Sequence, residues 1–447
     1  MLGDVHANLS ALEAVLADID TRGVAAIWNV GDFVGYGAHP EEVVRLLRRR
    51  ADVSIIGNYD RKVLSLPEKR DKWRRGKHPE KLRAFEYAWE QLSEDSKRYL
   101  GCLPAEVRLD SGGRSVLLVH GSPEADNEPL TAQTDEKRLA ELASRADADV
   151  VVCGHAHQAM CRKVGGVVFV NTGSVGRPEG DDRRACYATM EVDTDRIDVE
   201  HHRVAYDVEE AVAAIRRSDQ PETFARMVQT GEGFVEARRN HRRQRQDEAL
   251  AAAIALARRC GYDRPHTEQV TRLSLELFDK LMEIHKFGDE ERFLLHCGAL
   301  LHDIGWCEGG KGHHKTALRL ICNDDTIELD DRERKLVACV ARYHRKAMPN
   351  DKHPCYADLD EPSRQLVWML AGILRVADGL DYTHGSVVGD LAVRVKGQTL
   401  EIIARCRSDA VGELASAERK SNVLANATGM QVVIDAMLVG RSRDAGV

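Results

Sequence analysis

The chain has 447 residues, of which 43% are hydrophobic and 30% charged, with a formal net charge of −8. That length allows two or three domains with cores of their own, and the acidic balance argues against indiscriminate nucleic-acid binding. No apolar run approaches the roughly 18 residues that cross a bilayer, and the start lacks the basic, apolar and small-residue tiers of a secretory leader. The 11 cysteines are scattered singly with no C-x-x-C, a pattern of reduced thiols in a cytoplasmic protein. Cys153, Cys161 and Cys186 fall in apolar stretches and are expected in the core.

From Leu9 to about Tyr206, short apolar runs alternate with amphipathic ones. AAIWNV (25–30), DVSIIG (52–57), SVLLVHG (115–121), DVVVCGH (149–155) and GGVVFVN (165–171) predict buried strands. NLSALEAVLADID, HPEEVVRLLRRR and TDEKRLAELASRA carry helical periodicity, the first with Asn8 as cap and Gly23 as stop. RRACYATMEVD and RIDVEHHRV predict an antiparallel pair. The span 1–206 is therefore expected to be a layered α/β domain. From Asp207 the strand signals stop; VEEAVAAIRRSD and ETFARMVQTG predict short helices, and EARRNHRRQRQ a solvated basic face, so 207–247 is expected to be a helical basic linker. Amphipathic helices dominate 248–385, and 386–447 predicts a small α+β segment through LAVRVKGQTLEIIARC and TGMQVVIDAML.

The polar residues that end the apolar runs of the first domain form a set: Asp4 and His6, Asp32, Asn58, His120, and His155 with His157. In open α/β sheets the ligand site lies beyond the carboxyl ends of the strands, so these side chains are expected on one rim. Two carboxylates, an amide oxygen and four imidazoles make a mixed oxygen and nitrogen shell suited to Mn, Fe or Zn. Seven donors exceed one tetrahedral ion but suit two metals with a bridging carboxylate; such a pair, roughly 3.5–4 Å apart, clamps a phosphoryl group and turns a bridging water into a nucleophile.

D-x-H, G-D-x-x-G, G-N-x-D, H-G and G-H-x-H in this order resemble the calcineurin-like metallophosphoesterase superfamily, with GDFVGYG similar to its small prokaryotic phosphodiesterase and phosphatase branch. NTGSVG (171–176) matches a further family feature. The resemblance implies one metal on Asp4, His6, Asp32 and His157, and a second on Asp32, Asn58, His120 and His155. Two departures stand out. The family places a histidine after the asparagine, where it contacts phosphate and helps the leaving group; here that position is Tyr59. A phenol with a pKa of about 10 donates a hydrogen bond but shuttles protons poorly at neutral pH, so slow turnover or a good leaving group is expected. The family's first ligand pair also follows a central strand, whereas only Met1, Leu2 and Gly3 precede Asp4. An empty central slot would leave neighbouring backbone groups unpaired, so the chain is expected to begin downstream of its natural start.

In the helical region, LLHDIGW gives His302-Asp303, His266 heads the helix of RPHTEQV, and Asp378 lies in RVADGLD with Asp381 as a nearby competitor. Such residues on helices can enclose one divalent ion within a bundle. The set resembles the HD-domain phosphohydrolases. PHTEQV, ALLHDIG, GHHKTALRLI, ARYHRKAMP and LRVADGLD are similar, more closely, to the C-terminal helical domain of the exopolyphosphatase/guanosine pentaphosphatase family. That resemblance implies binding of long or charged phosphates. The related family often has a histidine where Thr316 stands here, which counts against a second ion. His313, His314, Lys315, Arg342, His344, Arg345 and Lys346 form a candidate cationic wall for such a polyanion.

The fold expected from both resemblances is an α/β layered metallophosphoesterase sandwich, an all-α HD domain over 248–385 and a small α+β cap. The function expected is a cytoplasmic metal-dependent hydrolase of phosphomonoesters or phosphodiesters. Asp32, Asn58, Tyr59, His302 and Asp303 would be catalytic, and the HD part would hydrolyse or sense a nucleotide or polyphosphate. One rival makes the HD part the working enzyme on a degraded first domain, favoured by Tyr59 and the missing strand. Another makes the chain a non-catalytic polyphosphate or alarmone sensor. A nuclease reading lacks the long basic groove it needs.

Overall fold

Valine-rich runs become buried strands because β-branched side chains suit a pleat covered on both faces. In the computed structural model, which describes residues 1–193 and 195–438, the chain divides into two units, Met1–Arg242 and Arg243–Val447. In the front unit β1 (Trp28–Asn29) and β2 (Val53–Ser54) pair in parallel. Five strands follow: β3 (Glu106–Ser111), β4 (Arg114–Val119), β5 (Val150–Cys153), β6 (Ala159–Val164) and β7 (Val167–Thr172). They form one sheet in the order β3-β4-β5-β7-β6, parallel through β4, β5 and β7 and antiparallel at both edges. β8 (Ala185–Val192) and β9 (Ile197–Val204) form the expected antiparallel pair.

Period-two alternation sends neighbouring residues of one strand to opposite cores. Val116, Leu118, Val150, Val152, Val168 and Val170 pack with Met1, Val30, Ile55 and Ala188. Leu117, Val151 and Phe169 face the other way, onto Leu139, Leu142 and Ala146 of the helix Glu136–Ala146. Helices Leu9–Asp20 and Pro40–Arg50 bury Leu12, Val15, Val43 and Leu47 in a third cluster with Leu2 and Tyr187. The central slot holds residues 1–4: the Leu2 N–H donates to Trp28 O (2.9 Å) and the Val30 N–H to Leu2 O (2.9 Å). On their other side the Val175 N–H donates to Gly3 O (3.1 Å) and the Ala188 N–H to Met1 O (3.0 Å). The neighbours' backbone groups therefore have partners.

Two elements of the sequence reading are corrected. Helices Val208–Arg217 and Glu222–Thr230, expected within a linker, bury Val212, Ile215, Phe224 and Met227 beside Tyr36 and Ala84 in the front unit. The division between units falls inside the helix Phe234–Arg259, which carries the basic stretch. The small segment expected from 386 shares its core with the rear helices: Val388, Leu391, Leu400 and Ile402 join Leu273, Leu301, Val340 and Leu374. Its β10 (Val388–Lys396), β11 (Thr399–Cys406) and β12 (Gln431–Leu438) form a sheet in that order, antiparallel then parallel. Residues 439–447 of the expected segment lie outside the described residues. Among those described, no helix is long and apolar enough to cross a membrane.

Candidate metal centres

The loops after residues 1–3, β1, β2, β4 and β5 carry the seven front donors, as strand polarity requires. Asp4, His6, Asp32, His155 and His157 all hold left-handed backbone, with φ between 49° and 64°. Non-glycine residues adopt that region at a cost, and five in one site mark a conformation held by its surroundings. Two glycines explain why the motifs read as they do. A Cβ on Gly57 would lie 2.1 Å from Asp32 N, and one on Gly154 would lie 2.4 Å from Asp4 Oδ2. The NTGSVG loop buttresses from behind: Asn171 Nδ2 donates to Gly154 O (2.6 Å) and Ser174 Oγ to Asp4 O (2.8 Å).

The donors converge in two groups, Asp4–His6–His157 and Asp4–Asp32–His120. His157 Nε2 lies 3.2 Å from Asp4 Oδ1 and 3.1 Å from His6 Nε2. Asp32 Oδ2 lies 3.4 Å from His120 Nε2 and 3.8 Å from His6 Nε2. Each ring is aimed by its other nitrogen: His6 Nδ1 donates to Val34 O (3.2 Å) and His120 Nδ1 to Val30 O (2.8 Å), while His157 Nδ1 accepts from Arg177 Nε (3.1 Å). Asn58 and His155 stand together at 2.9 Å, Nδ2 to Nδ1, while Asn58 Oδ1 accepts from Lys62 Nζ (3.2 Å). These two belong to neither close group.

The donor set fits divalent metal. Asp4 Oδ1 and His120 Nε2 are buried without a hydrogen-bond partner, and buried polar atoms are rarely left so. Burial opposes charge on His120, but the Asp32 carboxylate outweighs it and raises the imidazole to about 10. Burial lowers His6 and His157 to about 3, so both keep a lone pair for a ligand. Tyr59 donates its N–H to Asp32 Oδ1 (2.7 Å), its hydroxyl contacts that of Tyr36, and burial pushes its phenol well above 10. It is a hydrogen-bond donor at neutral pH.

Sequence reasoning missed Asp60, although it stands in the quoted G-N-x-D. It is buried; Oδ2 accepts from Asp32 N (3.0 Å) and Gly57 N (2.9 Å), and Oδ1 from Val34 N (3.2 Å). Burial and the Asp32 charge push its carboxyl up to about 7. Asp60→Ala strands three buried N–H groups and frees the Asp32 loop, so front-site metal affinity is expected to fall by about 10- to 100-fold. Metal titration read by calorimetry on wild type and variant measures this; unchanged affinity would show that Asp60 serves the fold alone.

In the rear unit, helices Arg264–Lys280, Asp289–Leu301 and Glu361–Gly379 bring His266, His302 and Asp378 into one donor group. His266 Nε2 lies 3.5 Å from Asp378 Oδ1, and His302 Nε2 lies 4.0 Å from it. Asp303 faces both rings, its Oδ2 3.7 Å from His302 Nε2 and 4.0 Å from His266 Nε2. Asp381, weighed as a competitor for Asp378, takes the opposite edge of His266 (Nδ1 to Oδ2, 2.8 Å) and orients that ring. Burial opposes charge on His266, but Asp378 and Asp381 raise it to about 9. Lys420, also missed, pairs with Asp378.

His313 and His344, expected in a cationic wall, turn their Nε2 atoms to Asp303. With Asp303 they form a second donor group, Nε2 to Oδ1 at 3.2 Å and 3.4 Å. Each Nδ1 donates to the carbonyl three residues earlier, Gly310 O (3.1 Å) and Ala341 O (2.6 Å), which turns the other nitrogen inward. His302 Nε2 and Asp303 Oδ1 are buried and make no hydrogen bond, the mark that the front centre carries. Of the rest of the expected wall, His314 is buried and lowered to about 4, by burial first and then by His313, Arg342, Lys346 and Arg345. Lys315 and Lys346 are exposed, while Arg342 and Arg345 are half-buried.

Comparison with known proteins separates the halves. Residues 1–195 match the calcineurin-like phosphoesterase superfamily domain, and residues 250–421 match the Ppx/GppA phosphatase, domain III. An uncharacterized protein of Methanocaldococcus jannaschii is 28% identical over 239 residues, 50% of this chain and 93% of its own. Among solved structures, a metallophosphoesterase from Sphaerobacter thermophilus is 31% identical with a TM-score of 0.42, covering 52% of this chain and 98% of that one. A hypothetical protein from Pyrococcus horikoshii is 21% identical with a TM-score of 0.47, covering 52% of this chain and 97% of that one.

Proposed function

Given that residues 1–195 belong to the calcineurin-like phosphoesterase superfamily and residues 250–421 to the Ppx/GppA phosphatase domain III, and that the chain is thereby a metal-dependent phosphoester hydrolase, we propose that it carries two separate metal centres. The front one hydrolyses a phosphomonoester or phosphodiester. The observation that carries this is the pair of unpartnered buried atoms, Asp4 Oδ1 and His120 Nε2, facing each other's groups among converging donors. Asp4, His6, Asp32 and His157 would hold one ion, and Asp32, Asn58, His120 and His155 the other. When bound, such a pair supplies charge neutralisation for the phosphoryl oxygens and activation of water.

The protein's own part is orientation. The backbone carbonyls of Val34 and Val30 fix the tautomers of His6 and His120, and Arg177 holds the His157 ring through Nδ1. Asp60 holds the Asp32 loop through two of its N–H groups. Tyr59, protonated at working pH, donates to a substrate or leaving-group oxygen without exchanging its proton. A nucleofuge that needs no proton is the substrate such a site handles fastest.

For the rear unit, His266, His302 and Asp378 would hold an ion, with Asp303, His313 and His344 as a neighbouring donor group and a nucleotide or polyphosphate as ligand. The buried His302 Nε2 and Asp303 Oδ1, which make no hydrogen bond, favour a second reading, in which the rear centre is itself hydrolytic. All described cysteines are free thiols, in keeping with a cytoplasmic setting. The test is Mn-supported hydrolysis of a chromogenic phosphodiester and monoester before and after chelation. Activity is expected to vanish on stripping and return with Mn, Fe or Zn. Turnover by chelated, metal-free protein would defeat the reading.

A further inference from the structure

The cavity over the front centre has a volume of about 510 Å³, and beside the metal-site residues it is lined by Lys62, Lys81, Arg177, Tyr36 and Phe234. Arg177 is neutralised by Glu179 and lies 4.9 Å over the Tyr36 ring. The two lysines have no such partner. Lys62 Nζ donates to Asn58 Oδ1 (3.2 Å) and sits 4.7 Å from the Tyr59 ring, while Lys81 Nζ sits 4.7 Å over Phe234. Neither makes an ion pair among the described residues. Burial lowers Lys81, and Arg177 and Lys77 lower it further; of the two glutamates in the cavity wall, Glu179 pairs with Arg177 and Glu236 with Arg239, and neither pairs with a lysine of the cavity. Half-buried like charges facing one cavity are costly unless an anion enters it.

Lys62 touches a metal-site residue, whereas Lys81 touches none. Together they extend positive charge from the phosphoryl position outward along the cavity. We propose that Lys62 and Lys81 form a subsite for a second phosphate, so that the substrate of the front centre carries a phosphate next to the scissile group, as in an inorganic polyphosphate or a nucleoside di- or triphosphate. This rests on the front centre being the phosphohydrolase proposed above. An ammonium in a partly dry cavity gains more from an anionic oxygen than one in water, because the charge-assisted bond is less screened.

Lysine-reactivity mass spectrometry on the full Mn-loaded chain tests this, because it reads Lys62 and Lys81 individually whatever the rear unit binds. Tripolyphosphate and ADP are expected to half-protect both lysines at concentrations about tenfold below those needed for orthophosphate and AMP. Equal protection by ADP and pyrophosphate assigns the subsite to the phosphate chain alone; a further gain with ADP assigns it to a nucleotide. In Lys81→Met, the ratio of kcat/KM for tripolyphosphate over that for a monoester is expected to fall about tenfold. Protection that ignores phosphate number, or a ratio unchanged in Lys81→Met, overturns the proposal. Protection that persists without Asp32-dependent turnover would instead overturn the hydrolase reading and leave the subsite standing.

Discussion

Asp32→Ala and the near-isosteric Asp32→Asn should each cost about 10³-fold in Mn-supported hydrolysis of a chromogenic phosphodiester, close to 4 kcal/mol at the transition state. Asp32 faces an imidazole of each proposed ligand set, 3.4 Å from His120 Nε2 and 3.8 Å from His6 Nε2. Its loss removes the donor that the two proposed ions would share, and it strips His120 of the charge that raises it to about 10. Asn keeps an oxygen for the Tyr59 N–H and tolerates the left-handed backbone at this position better than Ala. Asp32→Asn therefore separates chemistry from folding. A Tm near wild type with activity gone supports the front centre as catalyst. Full activity in Asp32→Asn, with activity lost in Asp303→Ala, would hand catalysis to the rear unit.

The sequence exposed the front ligands because each is tethered to a backbone feature that only certain residues tolerate. Gly57 and Gly154 leave no room for a Cβ beside Asp32 and Asp4, so G-N and G-H dipeptides mark positions where chain meets ligand. Asp60 was less visible, since its work is done through backbone N–H groups whose partners lie 26 and 28 residues away. The edge strand Glu106–Ser111 alternates exposed with half-buried positions, Ala159–Val164 buries only Met160, and the polar helix Leu66–Gly76 buries only Leu66, so none of them carried a hydrophobic period strong enough to read. In the rear unit, the order of motifs located His266, His302, Asp303 and Asp378. It did not show where the rings of His313 and His344 point, because that is decided by hydrogen bonds to the carbonyls of Gly310 and Ala341. A histidine beside lysines and arginines reads as part of a charged surface until its tautomer and direction are known.

Asp303→Ala should empty the rear centre. Its Oδ1 lies 3.2 Å from His313 and 3.4 Å from His344, and its Oδ2 lies 3.7 Å from His302 and 4.0 Å from His266. No other carboxylate in the described site faces all four imidazoles. Asp378 still faces His266 and His302, but His313 and His344 are left without a carboxylate between them, so rear-site affinity is expected to fall by at least about 100-fold. Mass-spectrometric metal content after desalting reads the loss directly, and Asp32→Asn, which leaves the rear donors untouched, is the control. Stability gives an independent reading. A metal present at 100 times its dissociation constant stabilises the folded state by about 2.7 kcal/mol. For a unit of this size that amounts to a Tm gain of about 5–10 °C on adding Mn. In Asp303→Ala the Mn-dependent gain in the rear unit's transition should disappear and the metal-free Tm should fall, because His302, His313 and His344 outweigh burial and hold the Asp303 carboxyl well below the usual carboxylate range, a favourable interaction the variant loses. Metal content and Mn response both unchanged would mean that Asp303 organises four histidines for a purpose other than metal, and the rear unit would then be a binder of anions through its cationic residues alone.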